Sequence, residues 1–144
     1  MSPLYFDAAY VAKCYLNEPD APAVRALARK SESLYTSALT IAEVACVFHR
    51  HRREGALNAK SERIVREQFL QDLDDRIWLV LPVTDHILRR VESATRAMAA
   101  NMLIRAGDAI HLVSAGDAGL KAVWSNDRRL LAAAASFGLT GRSV

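Results

Sequence analysis

The chain has 144 residues, the length of one ordinary domain, so a single domain over residues 1–144 is expected. It is 51% hydrophobic with a net charge of +3, too apolar for a disordered chain and basic enough to suit an anionic partner such as nucleic acid without demonstrating one. No apolar run approaches the roughly 20 residues of a membrane span, and the opening Met1-Ser2-Pro3-Leu4-Tyr5-Phe6-Asp7 lacks the basic start and apolar run of a signal peptide, so a cytoplasmic protein is expected.

Residues 3–6 read as a short buried strand ending at Asp7. Val11, Ala12, Tyr15 and Leu16 then follow at helical spacing over residues 8–16. Asn17-Glu18-Pro19 stops that helix. Asp20 can cap a second one to about residue 31, with Val24, Leu27 and Ala28 inward. A second strand covers 34–36, and a long helix covers 39–53, closed by Glu54-Gly55. Another helix runs over 58–74 with Val65, Phe69 and Leu73 on one face. Residues 77–81 form the clearest strand, closed by Pro82. A helix over 84–100 carries Ile87, Val91, Ala94 and Met98 at helical spacing. Gly107-Asp108 opens a helix to about residue 115, and Asp117-Ala118-Gly119 is a turn. Residues 122–124 are a fourth strand, and Asp127 caps a final helix to about residue 136. Strands that are continuously apolar and alternate with helices mark a parallel sheet covered on both faces. Cys14 and Cys46 have no metal-ligand spacing and lie in apolar helical stretches. They read as buried free thiols, in keeping with a reducing compartment.

Four acidic residues stand out. Ligands of open α/β sheets bind beyond the carboxyl ends of the strands. Asp7 ends the first strand, Asp127 follows the fourth, and Glu43 lies one turn into the helix after the second. Asp108 can reach the same edge from its helix start. Each aspartate taken singly serves as well as a helix cap. Glu43 is too deep in its helix for that. It shares a face with Leu39, Cys46 and Val47, and no Lys or Arg lies within a turn of it. A buried lone Glu needs a partner or a raised pKa. Two carboxylates about 5 Å apart repel by roughly 3 kcal/mol at an effective dielectric of about 20, so four together call for a cation. An all-oxygen set favours Mg²⁺ or Mn²⁺ over zinc and suits phosphodiester chemistry.

His111, three residues after Asp108, can share its helix face as a ligand or general base, or be a hydrogen-bonded core histidine. Ser125 is a candidate outer contact. Arg105 and Arg128 flank the late aspartates and are candidate phosphate contacts. The run His49-Arg50-His51-Arg52-Arg53 reads as solvated charge complementing a helix end. Trp78 and Trp124 are expected in the core.

The segment Leu4-Tyr5-Phe6-Asp7-Ala8-Ala9-Tyr10-Val11-Ala12-Lys13 resembles the opening of PIN-domain proteins, and Tyr15-Leu16-Asn17-Glu18-Pro19 is similar to the VapC toxins among them. Thr36-Ser37-Ala38-Leu39-Thr40-Ile41-Ala42-Glu43-Val44 resembles the second motif of that family. Arg105-Ala106-Gly107-Asp108-Ala109-Ile110-His111-Leu112 resembles the third, and Trp124-Ser125-Asn126-Asp127-Arg128-Arg129-Leu130 the fourth. Gly107 departs from the pattern, where a bulkier apolar residue is commoner, and Ser125 stands where Thr is common. The resemblance implies a PIN-like three-layer α/β/α sandwich around a parallel sheet of four to five strands. It implies a Mg²⁺- or Mn²⁺-dependent endoribonuclease with Asp7, Glu43, Asp108 and Asp127 as the catalytic, metal-binding set. It further implies an RNA substrate, a cognate antitoxin and a homodimer.

Two other classes stay in view. One is a PIN-like module that binds RNA or protein without cutting. The other is an aspartate-dependent phosphoryl enzyme. Ala9 stands where a haloacid-dehalogenase-type phosphatase needs a second Asp, and Ala8-Ala9 where a receiver domain would want acidic neighbours.

Overall fold

The computed structural model describes residues 2–144. Over these residues five strands alternate with seven α-helices: β1 (Leu4–Tyr5), α1 (Ala8–Lys13), α2 (Ala21–Lys30), β2 (Leu34–Ser37), α3 (Leu39–Arg53), α4 (Ala59–Asp74), β3 (Trp78–Leu81), α5 (Asp85–Arg96), α6 (Ala106–Asp117), β4 (Ala122–Trp124), α7 (Arg128–Ala133) and β5 (Thr140–Arg142). A 3-10 turn, Ala134–Phe137, extends α7. All strand pairs are parallel. One sheet has the order β3-β2-β1 and the other is β4-β5. They meet through a single parallel bridge, Phe6 to Trp124, where the Asp7 N–H donates to the Trp124 carbonyl at 3.2 Å.

Side chains alternate across a strand, and the two faces build two cores. Leu4, Phe6, Leu34 and Trp78 face one way, against Val11, Val24, Val44, Phe48 and Phe69 of α1–α4. Tyr5 and Val123 face the other, against Leu112 and Leu130 of α6 and α7. The three-layer expectation therefore holds. Trp78 is buried as expected, while Trp124 is half-buried at the edge of the core around Phe6 and Trp78.

Several local expectations need correction. Helix α1 stops at Lys13, because the next turn tightens to bring Tyr15 against Phe48 and Phe69. There the Tyr15 hydroxyl donates to Asp72 and accepts from the Trp78 indole N–H at 2.7 Å. Asp20 makes no cap hydrogen bond. Its carboxylate accepts from Lys13 Nζ at 2.9 Å and from the Asn126 amide, tying the α1–α2 turn to the β4–α7 turn. Helix α5 ends at Arg96, and the chain turns back so that Met98, Met102 and Ile104 reach the core around Tyr5 and Leu112. Both cysteines are free, but only Cys14 is partly buried, its thiol pushed up to about 12 by burial; Cys46 is exposed.

Candidate active site

The four acidic residues line one pocket of about 660 Å³ at the carboxyl edge of the sheet. Each arrives on a different element. Asp7 sits between β1 and α1, Glu43 on α3, Asp108 in the first turn of α6, and Asp127 at the start of α7. Ala8, Ala9 and Ala42 share the lining, so small side chains leave the space open.

Asp7 is the most enclosed of the four, 4% exposed. Its Oδ1 caps α1 by accepting from the Tyr10 N–H at 3.0 Å, and its Oδ2 accepts from the Ser125 hydroxyl at 2.5 Å. Burial pushes this carboxyl up from its ordinary value, and the bonds from Ser125 and Tyr10 pull it back. Ser125 is itself fully buried, and its Oγ also accepts from the Asp127 N–H at 2.9 Å. One hydroxyl thus positions two of the acidic residues.

Glu43 departs from the expectation that led to it. Its side chain is 37% exposed rather than buried, and its partner is His111, which no local sequence window around Glu43 contains. His111 Nε2 lies 2.7 Å from Glu43 Oε1, and Nδ1 lies 2.7 Å from the Tyr5 hydroxyl. With Glu43 ionised, Nε2 donates to it; in the neutral imidazole Nδ1 then accepts from Tyr5, and the chain reads Tyr5 to His111 to Glu43. Burial first, then the charges of Asp7 and Glu43, hold the Tyr5 phenol well above its ordinary value, so Tyr5 keeps its proton. His111 is therefore a buried histidine with two partners that also reaches the pocket wall.

Asp108 is not a cap, contrary to expectation. The cap position is Arg105, and Asp108 stands third in the helix, 8% exposed. Asp127 does cap, accepting from the N–H groups of Arg129 and Leu130. Arg105 joins the two: its Nε donates to Asp108 Oδ2 at 3.2 Å and its terminal nitrogen to Asp127 Oδ2. The guanidinium is more than half exposed, and its hydrogen bond to Asp108 is the main influence keeping it charged. Gly107 sits where an added Cβ would come within 3.3 Å of Glu43 Oε2, so a side chain much larger than a methyl would press on that carboxylate.

Arg128 is exposed on α7 and outside the pocket. The basic run does something the sequence reading missed. His49, Arg50 and Arg53 line the pocket, while His51 and Arg52 point away to Glu18 and Glu62. The signal was present, since residues 43, 46, 50 and 53 fall on one helical face.

Among the described residues, no three acidic, histidine or cysteine side chains stand close enough to form a ready metal cage. Each carboxylate is held by a protein donor instead. The donor chemistry nonetheless fits a hard divalent ion: four carboxylates, two of them buried, share one pocket, and two already share a cation in Arg105.

The PIN domain profile matches residues 4–136. No curated protein sequence matches. Among solved structures the chain is similar to FitAcB from Neisseria gonorrhoeae, with 19% identity and a TM-score of 0.68 over 98% of this chain and 96% of that one. It is similar to VapBC2 from Rickettsia felis bound to a promoter DNA fragment, with 12% identity and a TM-score of 0.66 over 99% and 98%. It is also similar to VapC20 of Mycobacterium tuberculosis, a sarcin–ricin loop cleaving toxin, with 14% identity and a TM-score of 0.66 over 90% and 94%.

Proposed function

Because the chain belongs to the PIN-domain family, we propose that it is a Mg²⁺- or Mn²⁺-dependent endoribonuclease and the toxin of a toxin–antitoxin pair. The observation that carries this reading is the convergence of Asp7, Glu43, Asp108 and Asp127 on one pocket rimmed by arginines. Such a pocket has an acidic floor for a cation and basic walls for a polyanion. The likeness to VapC20 supports RNA as the substrate, and the likeness to FitAcB and VapBC2 supports a protein partner. A homodimer belongs to the same proposal.

In this reading the four carboxylates hold the metal ion, which when bound makes a water nucleophilic near neutral pH and offsets charge on the phosphodiester. The rest is done by the chain. Ser125 fixes Asp7 in one rotamer and favours its ionised form. His111, backed by Tyr5, holds Glu43 at the wall. Arg105 balances the charge of Asp108 and Asp127, and its exposed guanidinium is placed to meet a substrate phosphate.

The test is cleavage of RNA with and without Mg²⁺, using the wild type, Asp7→Ala and Asp108→Asn. Calorimetry of Mn²⁺ with Glu43→Gln accompanies it. Metal-dependent cutting lost in the variants supports the reading. Cleavage that persists in EDTA, or equal activity in the variants, refutes it. RNA binding without any cutting identifies the non-cleaving module instead.

A further inference from the structure

The last turns of α3 sort their basic residues onto two faces. His51 Nδ1 lies 2.9 Å from the Val47 carbonyl oxygen and Nε2 3.5 Å from Glu18, while Arg52 pairs with Glu62 at 3.3 Å. Arg50 and Arg53 face the pocket. Among the described residues Arg50 has no acidic partner within ion-pair distance, and Arg53 has only the exposed Glu54 at 3.9 Å, a contact worth little. Complementing the helix dipole would favour all of these positions alike. It does not explain why the pocket-facing arginines are the ones left without firm partners.

Distance along the helix assigns them a place. At about 1.5 Å per residue, Arg50 lies roughly 10 Å and Arg53 roughly 15 Å beyond Glu43. Both line the same pocket as the carboxylates but are rooted about two to three turns beyond Glu43. Both lie where a strand leaving that floor would run along α3. We propose that Arg50 and Arg53 form a track that binds backbone phosphates of the RNA strand flanking the acidic centre. The identity of the strand rests on the ribonuclease reading; the track itself rests on the face that α3 presents.

The experiment measures binding of a labelled single-stranded RNA of mixed sequence by fluorescence anisotropy, in EDTA, across a salt series. Each phosphate neutralised on a single strand contributes about 0.7 to the slope of log affinity against log salt. The double variant Arg50→Ala/Arg53→Ala should lower that slope by about 1.4. Between about 50 and about 200 mM salt its affinity should therefore fall roughly sevenfold less than the wild type's. Arg52→Ala, on the opposite face, should leave the slope in place, and Arg50→Lys/Arg53→Lys should keep most of it. Calorimetric Mn²⁺ binding should be the same in all of them. The track is overturned if the alanine pair keeps the wild-type slope, if Arg52→Ala lowers it as much, or if the wild type does not bind the RNA. Wild type that binds with this slope but never cuts with Mg²⁺ upholds the track and sinks the nuclease reading. Cutting with an unchanged slope does the reverse.

Discussion

Replacing Ser125 by Ala removes the one hydroxyl that touches both Asp7 and Asp127. Ser125 is fully buried, so no water replaces it at once. Its bond to Asp7 involves a charged acceptor and is worth about 1.5–3 kcal/mol, and its bond from the Asp127 N–H about 0.5–1.5. The combined loss is roughly 2–4.5 kcal/mol. Unfolding entropy of about 2.1 cal/mol/K per residue gives about 0.3 kcal/mol per kelvin for this chain, so Tm should fall by roughly 7–15 °C at pH 7. The pH dependence carries its own sign. Asp7 has a folded pKa raised by burial, so its contribution to stability is intact at low pH and is lost as pH rises through that value. Ser125 lowers this pKa, so the variant raises it further and deepens the loss at neutral pH. The gap between variant and wild type should therefore be narrower at about pH 4 than at pH 7, because protonating Asp7 removes the charge that the Ser125 hydroxyl favours. Thermal unfolding followed by circular dichroism, without metal, reads both effects. A Tm change under about 3 °C at pH 7, or an equal change at both pH values, would refute the account of Asp7 as a buried carboxylate held ionised by Ser125.

Other outcomes follow from the same site. Asp7→Asn keeps the acceptor for the Tyr10 N–H and removes the charge that burial disfavours; it should stabilise the metal-free protein at pH 7, less so in acid, while abolishing Mn²⁺ binding, as chemical denaturation and calorimetry would register. Arg105→Gln removes the internal cation between Asp108 and Asp127 and should raise Mn²⁺ affinity severalfold; weaker binding would show that Arg105 organises the carboxylates rather than competing for them. Gly107→Ala trades glycine for a better helix former beside a half-exposed glutamate and should stabilise by up to about 1 kcal/mol. A loss of stability there would mean that Glu43 cannot give the few tenths of an ångström required.

The ends of α3 were readable because a charged run meets Glu54-Gly55, and Gly55 takes a positive φ of 83° that suits the stop. Strand β4 was readable as an isolated apolar triplet between turns. The fifth strand, Thr140–Arg142, carried no such pattern, since a glycine flanked by exposed residues becomes a strand only by pairing with β4. That the four acidic residues would share an edge followed from sheet topology. How each is held did not, because the partners come from afar: Ser125 for Asp7 and His111 for Glu43, at separations of 118 and 68 residues. Local reasoning saw no cation near Glu43 and inferred burial, when the fold had supplied a histidine. The pocket-facing arginines of α3 were obscured by the opposite error, a cluster taken as one feature when the helix divides it between two faces.

The single bridge between β1 and β4 is the thinnest backbone pairing between strands in the fold. Asp7 and Glu43 lie on the β3-β2-β1 side of that joint, Asp127 follows β4, and Asp108 sits on α6, which packs against both β2 and β4. An ion shared by all four carboxylates would span the weakest line of backbone pairing in the sheet and act as a clasp. Its binding energy would then appear as suppressed opening of the C-terminal half, since a ligand that recognises only the closed arrangement stabilises it by mass action. Amide exchange at Asp7, whose N–H crosses the joint to the Trp124 carbonyl, is the place where occupancy of the pocket would be felt as slowed breathing of the fold.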